Sequence, residues 1–365
     1  MKCYGKLGFN VHGWFEKDRP SVKSETAIIR PLILGVCTSD VHQIQMEMST
    51  NFTVLGHEGI GEIVEIGDHV TDFKPGDRVV IPATTPIWKT EEARSGVSMH
   101  SGGFCGGCTM GSVKDGLMAE FALINDPDMN LALLPDNVNP LAASMAGDMM
   151  SAGLSGAELA EVSFGDTVVV IGAGPLGCMA IAGAAMRGAG RIIAVDTRKK
   201  SVEVAKHYGA TDIVNHKDGS INMVNQILFL TGGRGADCCI IAGGGEDILD
   251  QAMRITCLGG RIANLNTFAY GESLHFSLEG WGLGLANKTI RGGLCPGGRY
   301  RIEKMLELLK YNRLDPTKII THVFKGFQYI EEAFDLMIRK EQDVLKPVVV
   351  CDEDFYDDLI SQNYL

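Results

Sequence analysis

Residues 56–59 read Gly-His-Glu-Gly, which sets His57 and Glu58 side by side in an otherwise apolar stretch rich in β-formers, FTVLGHEGIGEIVEIG. An imidazole next to a carboxylate suits proton transfer or metal ligation, although a hydrogen-bonded core histidine beside a solvated glutamate has the same signature. Two other stretches widen the options. GVCTSDVH carries Cys37, Ser39 and His42, and AGDMM carries Asp148. Cys37, His57 and Asp148 would supply one sulfur, one nitrogen and one oxygen, and three protein ligands with a fourth position open is the usual form of a catalytic zinc site. These residues are far apart in the chain, so spacing alone does not join them. Cys37 as core, Ser39 and Asp40 as a helix cap and His42 as surface form the plain alternative.

A second constellation points to a nucleotide. VVVIGAGPLG ends in Gly172, Gly174 and Gly177, with Pro175 and Leu176 between the last two, after a predicted strand and before an uncharged helix. In a G-x-G-x-x-G turn the first glycine allows the bend, the second lets backbone approach a pyrophosphate, and the third lets helix pack on strand. The helix N-terminus then presents free N–H groups and a positive dipole end. Asp196 ends the next predicted strand, RIIAVD, where a carboxylate accepts from both ribose hydroxyls and repels a 2′-phosphate. That predicts NAD. Arg198, followed by Lys199 and Lys200, keeps NADP open, because a guanidinium there could hold the extra phosphate.

These groups need elements to position them. The first 150 residues alternate short predicted strands (AIIRPLILG, GEIVEIG, GDRVVIPA) with turns and glycine-rich loops, an all-β texture. NPLAASMAGDMMSAGLSGAELA reads as helical. Beyond it, DTVVVIGAGPLG, RIIAVDT, DIVN, ADCCIIAGG and GGRIANL alternate with helical segments, the βαβ rhythm of a parallel sheet. RIEKMLELLKYN, THVFKGF, IEEAFDLMIRK and KPVVVC then predict helix, strand, helix, strand, and the acidic segment 352–365 reads as a solvated tail or an oligomer contact. The uncharged run Val168–Met186 is long enough to suggest a membrane span, but its glycines and Pro175 fit a strand, turn and helix better. With 365 residues the chain exceeds one ordinary core, and two domains are expected. A net charge of −12 argues against nucleic acid or an anionic membrane as partner. No secretory h-region is visible at the N-terminus, and ten cysteines without need of disulfides fit a cytoplasmic protein.

GVCTSDVH, LGHEGIGEIVEIG, KPGDRVVIP, AGDMM and VVVIGAGPLG follow one another as in the zinc-dependent medium-chain alcohol dehydrogenases, and NKTIRGGLCPGGR resembles their microbial secondary alcohol branch. The resemblance spans nearly the whole chain. It implies an α/β protein: a GroES-like, β-rich catalytic domain (1–150, completed by 296–365) and a Rossmann domain with a doubly wound parallel sheet (151–295). It further implies a homotetramer, a small alcohol or ketone as substrate, and interconversion of a secondary alcohol and a ketone with NAD(H). By position, Cys37, His57 and Asp148 match the zinc ligands, and Glu58 a fourth ligand or a carboxylate beside the metal. Ser39 matches the hydroxyl that takes the alcohol proton, and His42 the group that passes it on. Ala83, Cys108, Thr267, Leu294 and Cys295 fall at positions of the substrate pocket.

The chain also departs from that pattern. Many members hold a structural zinc on four closely spaced cysteines, whereas this loop has only Cys105 and Cys108, so a single catalytic zinc per chain is expected. The resembled branch has glycine where this chain has Asp196, and uses NADP. It also has tryptophan near Cys108 and tyrosine near Thr267, so the pocket here should be wider. A polyol or amino-alcohol dehydrogenase on the same fold, or a dinucleotide-binding protein without catalysis, are the competing readings.

Overall fold

The computed structural model describes all residues except 47–48, 216–221 and 269–272. Along the chain come strands β1 (Lys2–Gly8), β2 (Val11–Glu16), β3 (Thr26–Gly35), β4 (Thr53–Val54), β5 (Gly59–Ile66), β6 (Arg78–Ile81), β7 (Ala122–Asn125) and β8 (Ala132–Leu133). A second group follows: β9 (Thr167–Ile171), β10 (Arg191–Val195), β11 (Asp212–Val214), β12 (Ala236–Ile241), β13 (Thr256–Asn264) and β14 (Thr289–Gly292). β15 (Ile320–Lys325) and β16 (Lys346–Val350) close the set.

Two units result, Met1–Ser151 with Cys295–Leu365, and Ala152–Leu294. Ser151 and Cys295, placed by the sequence reading in the second domain, sit with the first. Ser151 is tied there, its hydroxyl donating to the Pro296 carbonyl (2.6 Å) and its own carbonyl accepting from Arg301 Nη2 (2.8 Å).

In the first unit, β2-β1-β4 form a small sheet, and β15-β16-β3-β5-β6-β8 a larger one with β7 also paired to β3. The chain returns into this sheet through β16, which runs antiparallel beside β3 with Val348 opposite Gly35. On its other side β3 pairs with β5, Leu34 opposite Gly59. Residues 35–37 are therefore flanked by Glu58, just before β5, and by Lys346–Pro347 of β16, with Gly35 N–H donating to the Glu58 carbonyl and Val36 N–H to that of Pro347.

Of the two expectations for segment 352–365, a solvated tail or an oligomer contact, the first does not hold. Glu353–Ser361 is a helix whose Phe355 and Leu359, one turn apart, are buried. Asp352 caps it, accepting from Phe355 N–H (2.9 Å), and pairs with Arg30. The apolar i, i+4 pair gives this acidic segment a face to bury, which its net charge conceals.

In the second unit the sheet order is β11-β10-β9-β12-β13-β14, every pairing parallel. That is the doubly wound order. TVVVI of β9 is buried at four of five positions because such strands are covered on both faces. Val168–Met186 resolves into strand, turn and the helix Pro175–Met186. No helix among the described residues is long and apolar enough to cross a membrane.

Candidate active site

The helix Thr38–Gln45 starts where β3 ends, with Cys37 as its N-cap residue. Asp40, wholly buried, folds back on this start. Its Oδ2 accepts from Cys37 N–H (3.1 Å), and its Oδ1 accepts from Gly56 N–H (3.0 Å) and faces His57 Nδ1 (3.1 Å). A carboxylate can only accept, so His57 carries a proton on Nδ1 and turns Nε2 to the other groups. There Ser39 Oγ lies 3.1 Å away and Asp148 Oδ2 3.4 Å. Burial opposes ionisation of Asp40, yet His57 and the two backbone N–H groups hold it below the usual carboxylate range.

Asp148 comes from the segment read simply as helical. Between the helices Pro140–Ser144 and Ser151–Leu159 the chain widens into a π-helical turn, Ala146–Met150, in which Met150 N–H reaches back to the Met145 carbonyl (2.9 Å). Such turns shift the facing of the side chains they hold. Asp148 Oδ2 then stands 3.7 Å from Cys37 Sγ.

Glu58 is fully buried, lodged where Gly35 has no side chain: a Cβ on Gly35 would come within 2.9 Å of its carboxyl carbon. Its Oε1 pairs with Lys346, also fully buried, and among the described residues its Oε2 is a buried oxygen with no hydrogen-bond partner. Burial pushes the Glu58 carboxyl up to about 7, against the pull of Lys346.

Cys37, His57, Glu58 and Asp148 thus offer one ligand atom each, all within 4.8 Å of one another. Sulfur, nitrogen and carboxylate oxygen at such spacing are zinc's preferred donors, and the unpartnered Glu58 oxygen adds an acceptor that a cation would satisfy. The cluster draws positive charge. Burial opposes a charged His57, but Asp40, Asp148 and Cys37 outweigh it and hold the imidazole well above its ordinary range. These residues fit a zinc ion.

His42 lies one turn after Ser39 on the same helix, half-buried. Burial lowers its pKa, with a smaller contribution from Lys340. Of the pocket candidates, Ala83, Cys108 and Cys295 lie in the first unit and Thr267 and Leu294 in the second, Thr267 exposed. Thr84, buried and without a signal in the sequence, links two of them. Its hydroxyl donates to the Cys295 carbonyl (2.8 Å), which leaves it to accept from the Cys108 thiol (3.1 Å). Burial raises the Cys108 thiol to about 11, so it keeps its proton. Cys295 Sγ lies 3.8 Å from the Asp148 carbonyl oxygen.

In the second unit, the turn at Gly172–Gly177 leads into the helix Pro175–Met186 with Gly174 as its N-cap residue. Pro175 suits the first helical position, where no N–H is needed. Gly177 packs so closely that a Cβ would stand 1.7 Å from the Gly172 carbonyl oxygen. Asp196 directly follows β10 and accepts from the N–H groups of Ala173 (3.0 Å), Thr197 (2.8 Å) and Arg198 (2.9 Å). The Arg198 guanidinium lies 3.4 Å from its Oδ2.

A soft–hard metal donor set in one unit and a dinucleotide turn in the other are the parts of a metal-dependent, nicotinamide-linked dehydrogenase. Residues 23–136 match the model of the alcohol dehydrogenase GroES-like domain, and residues 175–311 that of the zinc-binding dehydrogenases. The chain is 52% identical over 352 residues to the NADP-dependent isopropanol dehydrogenase of Thermoanaerobacter brockii, covering 96% of this chain and 99% of that one. It is 49% identical to the enzyme of the same name from Clostridium beijerinckii, covering 96% and 100%. Among solved structures, an alcohol dehydrogenase from Thermus sp. ATN1 superposes with a TM-score of 0.84 at 28% identity, over 96% of this chain and all of that one. The chain belongs to the zinc-binding alcohol dehydrogenase family.

Proposed function

We propose that this protein interconverts a secondary alcohol and a ketone, with zinc held by Cys37, His57 and Asp148, Glu58 as neighbour or fourth ligand, and NAD(H) as hydride carrier. The observation that carries the reading is the convergence of those four side chains, one ligand atom from each within 4.8 Å of the others, with Glu58 Oε2 buried and without a hydrogen-bond partner among the described residues. Zinc bound there would act as a Lewis acid on the substrate oxygen. The chain's own groups do the rest. Asp40 fixes the His57 ring, Ser39 takes the alcohol proton, and His42, kept neutral by burial, accepts it and passes it outward. The turn at Gly172, Gly174, Pro175, Leu176 and Gly177 holds the pyrophosphate of the cofactor.

The isopropanol dehydrogenases of T. brockii and C. beijerinckii support the alcohol class by their names, which also say NADP-dependent. For this chain NAD is the reading, because the Asp196 carboxylate stands at the end of β10 where a 2′-phosphate would meet like charge. The neighbouring Arg198 favours NADP as the second reading. Cys108 and Thr267, both smaller than the aromatic side chains of the resembled branch, suit substrates bulkier or more polar than propan-2-ol. A homotetramer in the cytoplasm is part of the same proposal. All ten cysteines are free thiols, as suits a reducing compartment. The edge strand β14 is exposed throughout, and Leu258, Leu283 and Leu285 of its unit are exposed as well, a surface another copy could cover.

Initial rates on a panel of secondary alcohols, polyols, amino alcohols and ketones, each with NAD(H) and NADP(H), test these readings. NAD-linked turnover of secondary alcohols is expected. Turnover confined to polyols or amino alcohols would replace the substrate class, and rates with NADP far above those with NAD would reverse the cofactor reading.

A further inference from the structure

Lys346 has no assigned part in the chemistry above, yet it is one of the largest fully buried side chains in the molecule. It opens β16, the strand that returns from the far end of the chain to lie beside β3. Its ammonium pairs with Glu58 Oε1, while Glu58 Oε2 stays buried and unpartnered among the described residues. Burial opposes the charge on Lys346, but Cys37, Glu58 and Asp148 outweigh it and hold the group above its ordinary range.

Charge counting shows what this pairing does. A divalent ion on a thiolate from Cys37, a carboxylate from Asp148 and a neutral imidazole from His57 is electrically balanced. Glu58 brings one negative charge more, and in a buried site it must be neutralised either by the metal or by another cation. Lys346 is that other cation, and it takes one oxygen while leaving the second free to reach the cluster.

We propose that Lys346 is a positioning residue that keeps Glu58 a displaceable neighbour of the metal rather than a permanent fourth ligand. Its grip on Oε1 lowers the carboxylate's pull toward the ion, and the fourth position stays available to an incoming molecule. The inference rests on the metal reading of Cys37, His57 and Asp148.

The test uses the full-length protein loaded with cobalt(II), whose visible bands report coordination, and titrates it with imidazole as a neutral competitor for the fourth position. In Lys346→Met, Glu58 has only the metal to turn to, and the half-saturating imidazole concentration rises by roughly tenfold, the lower end of the scale on which groups behind metal ligands act. In Lys346→Arg the forked guanidinium grips both carboxylate oxygens, and that concentration falls. Glu58→Gln combined with Lys346→Met has no carboxylate to compete and titrates like the parent. A purely structural role would move the Met and Arg variants the same way, and that result, or no shift in either, overturns the proposal. Should Lys346→Met fail to fold, the Arg variant decides alone: an unchanged or raised concentration overturns it. A parent protein that binds no cobalt refutes the metal reading itself, a different failure.

Discussion

Asp40 Oδ1 lies 3.1 Å from His57 Nδ1, and its partner oxygen caps the helix that begins at Cys37. One carboxylate therefore sets the ring of one proposed ligand and the backbone of another. Partners behind metal ligands fix tautomer and orientation, and losing one typically costs about 10–100-fold in metal affinity. Asp40→Asn should weaken zinc binding on that scale in competition with a chromophoric chelator. Thermal unfolding of the metal-free variant separates this from lost capping. Parental zinc affinity would show that Asp40 serves the helix alone.

The carboxylate of Asp196 already accepts three backbone N–H groups, with Arg198 at its flank. On the proposed reading, replacing it by glycine removes an acceptor for the ribose hydroxyls and a negative charge that would face a 2′-phosphate. Asp196→Gly should lower kcat/KM for NAD by roughly 10–100-fold, the worth of about 1.5–3 kcal/mol for hydrogen bonds to a charged group. The value for NADP should rise. An unchanged ratio of the two would mean that Asp196 acts on the turn and not on the cofactor.

Cys108 donates a hydrogen bond from its thiol to Thr84 Oγ1 and occupies far less volume than an aromatic side chain. Cys108→Trp should shift preference from bulky toward small ketones, by roughly tenfold or more in the ratio of kcat/KM, as one to three kcal/mol of pocket contact implies. Measured on propanone and a phenyl ketone, an unaltered ratio removes Cys108 from the substrate wall.

His42 offers a test in pH. Burial, aided by Lys340, lowers its folded pKa below the ordinary value of about 6.5. The unfolded chain then binds the proton first, so stability is fully present above about pH 6.5 and is lost as pH falls through the folded value. Urea unfolding at pH 7.5 and 5.5 should show a smaller loss in His42→Gln than in the parent. Equal losses in both proteins would show that His42 titrates freely.

Much of this was legible in the sequence, for reasons that particular residues make plain. Gly172, Gly174 and Gly177 announce a phosphate turn because steric rules leave few other uses for that spacing after a buried strand. Cys37, His57 and Asp148 could be named as chemical types, but Cys37 and His57 meet through the pairing of β3 with β5 and Asp148 joins them from the π-helical turn Ala146–Met150, neither of which a local pattern encodes. The pairing of β16 with β3 hid Lys346, which at the head of KPVVV reads as an ordinary strand start and meets Glu58 across the sheet. Asp40 was visible only as a helix cap, which it is, because its second oxygen finds His57 through the fold. At the acidic end of the chain the charge suggested a solvated tail, although Phe355 and Leu359 at one-turn spacing were there to be read.

Whether turnover requires a single metal ion on Cys37, His57 and Asp148 can be read by withdrawing zinc in steps with a chelator. Bound metal and the rate of NAD-linked propan-2-ol oxidation are measured on each sample. Activity should fall in proportion to zinc, reach zero with the loss of one ion per chain, and return on adding it back. Full activity in metal-free protein, or a second tightly held zinc in each chain, would contradict the requirement for a single ion.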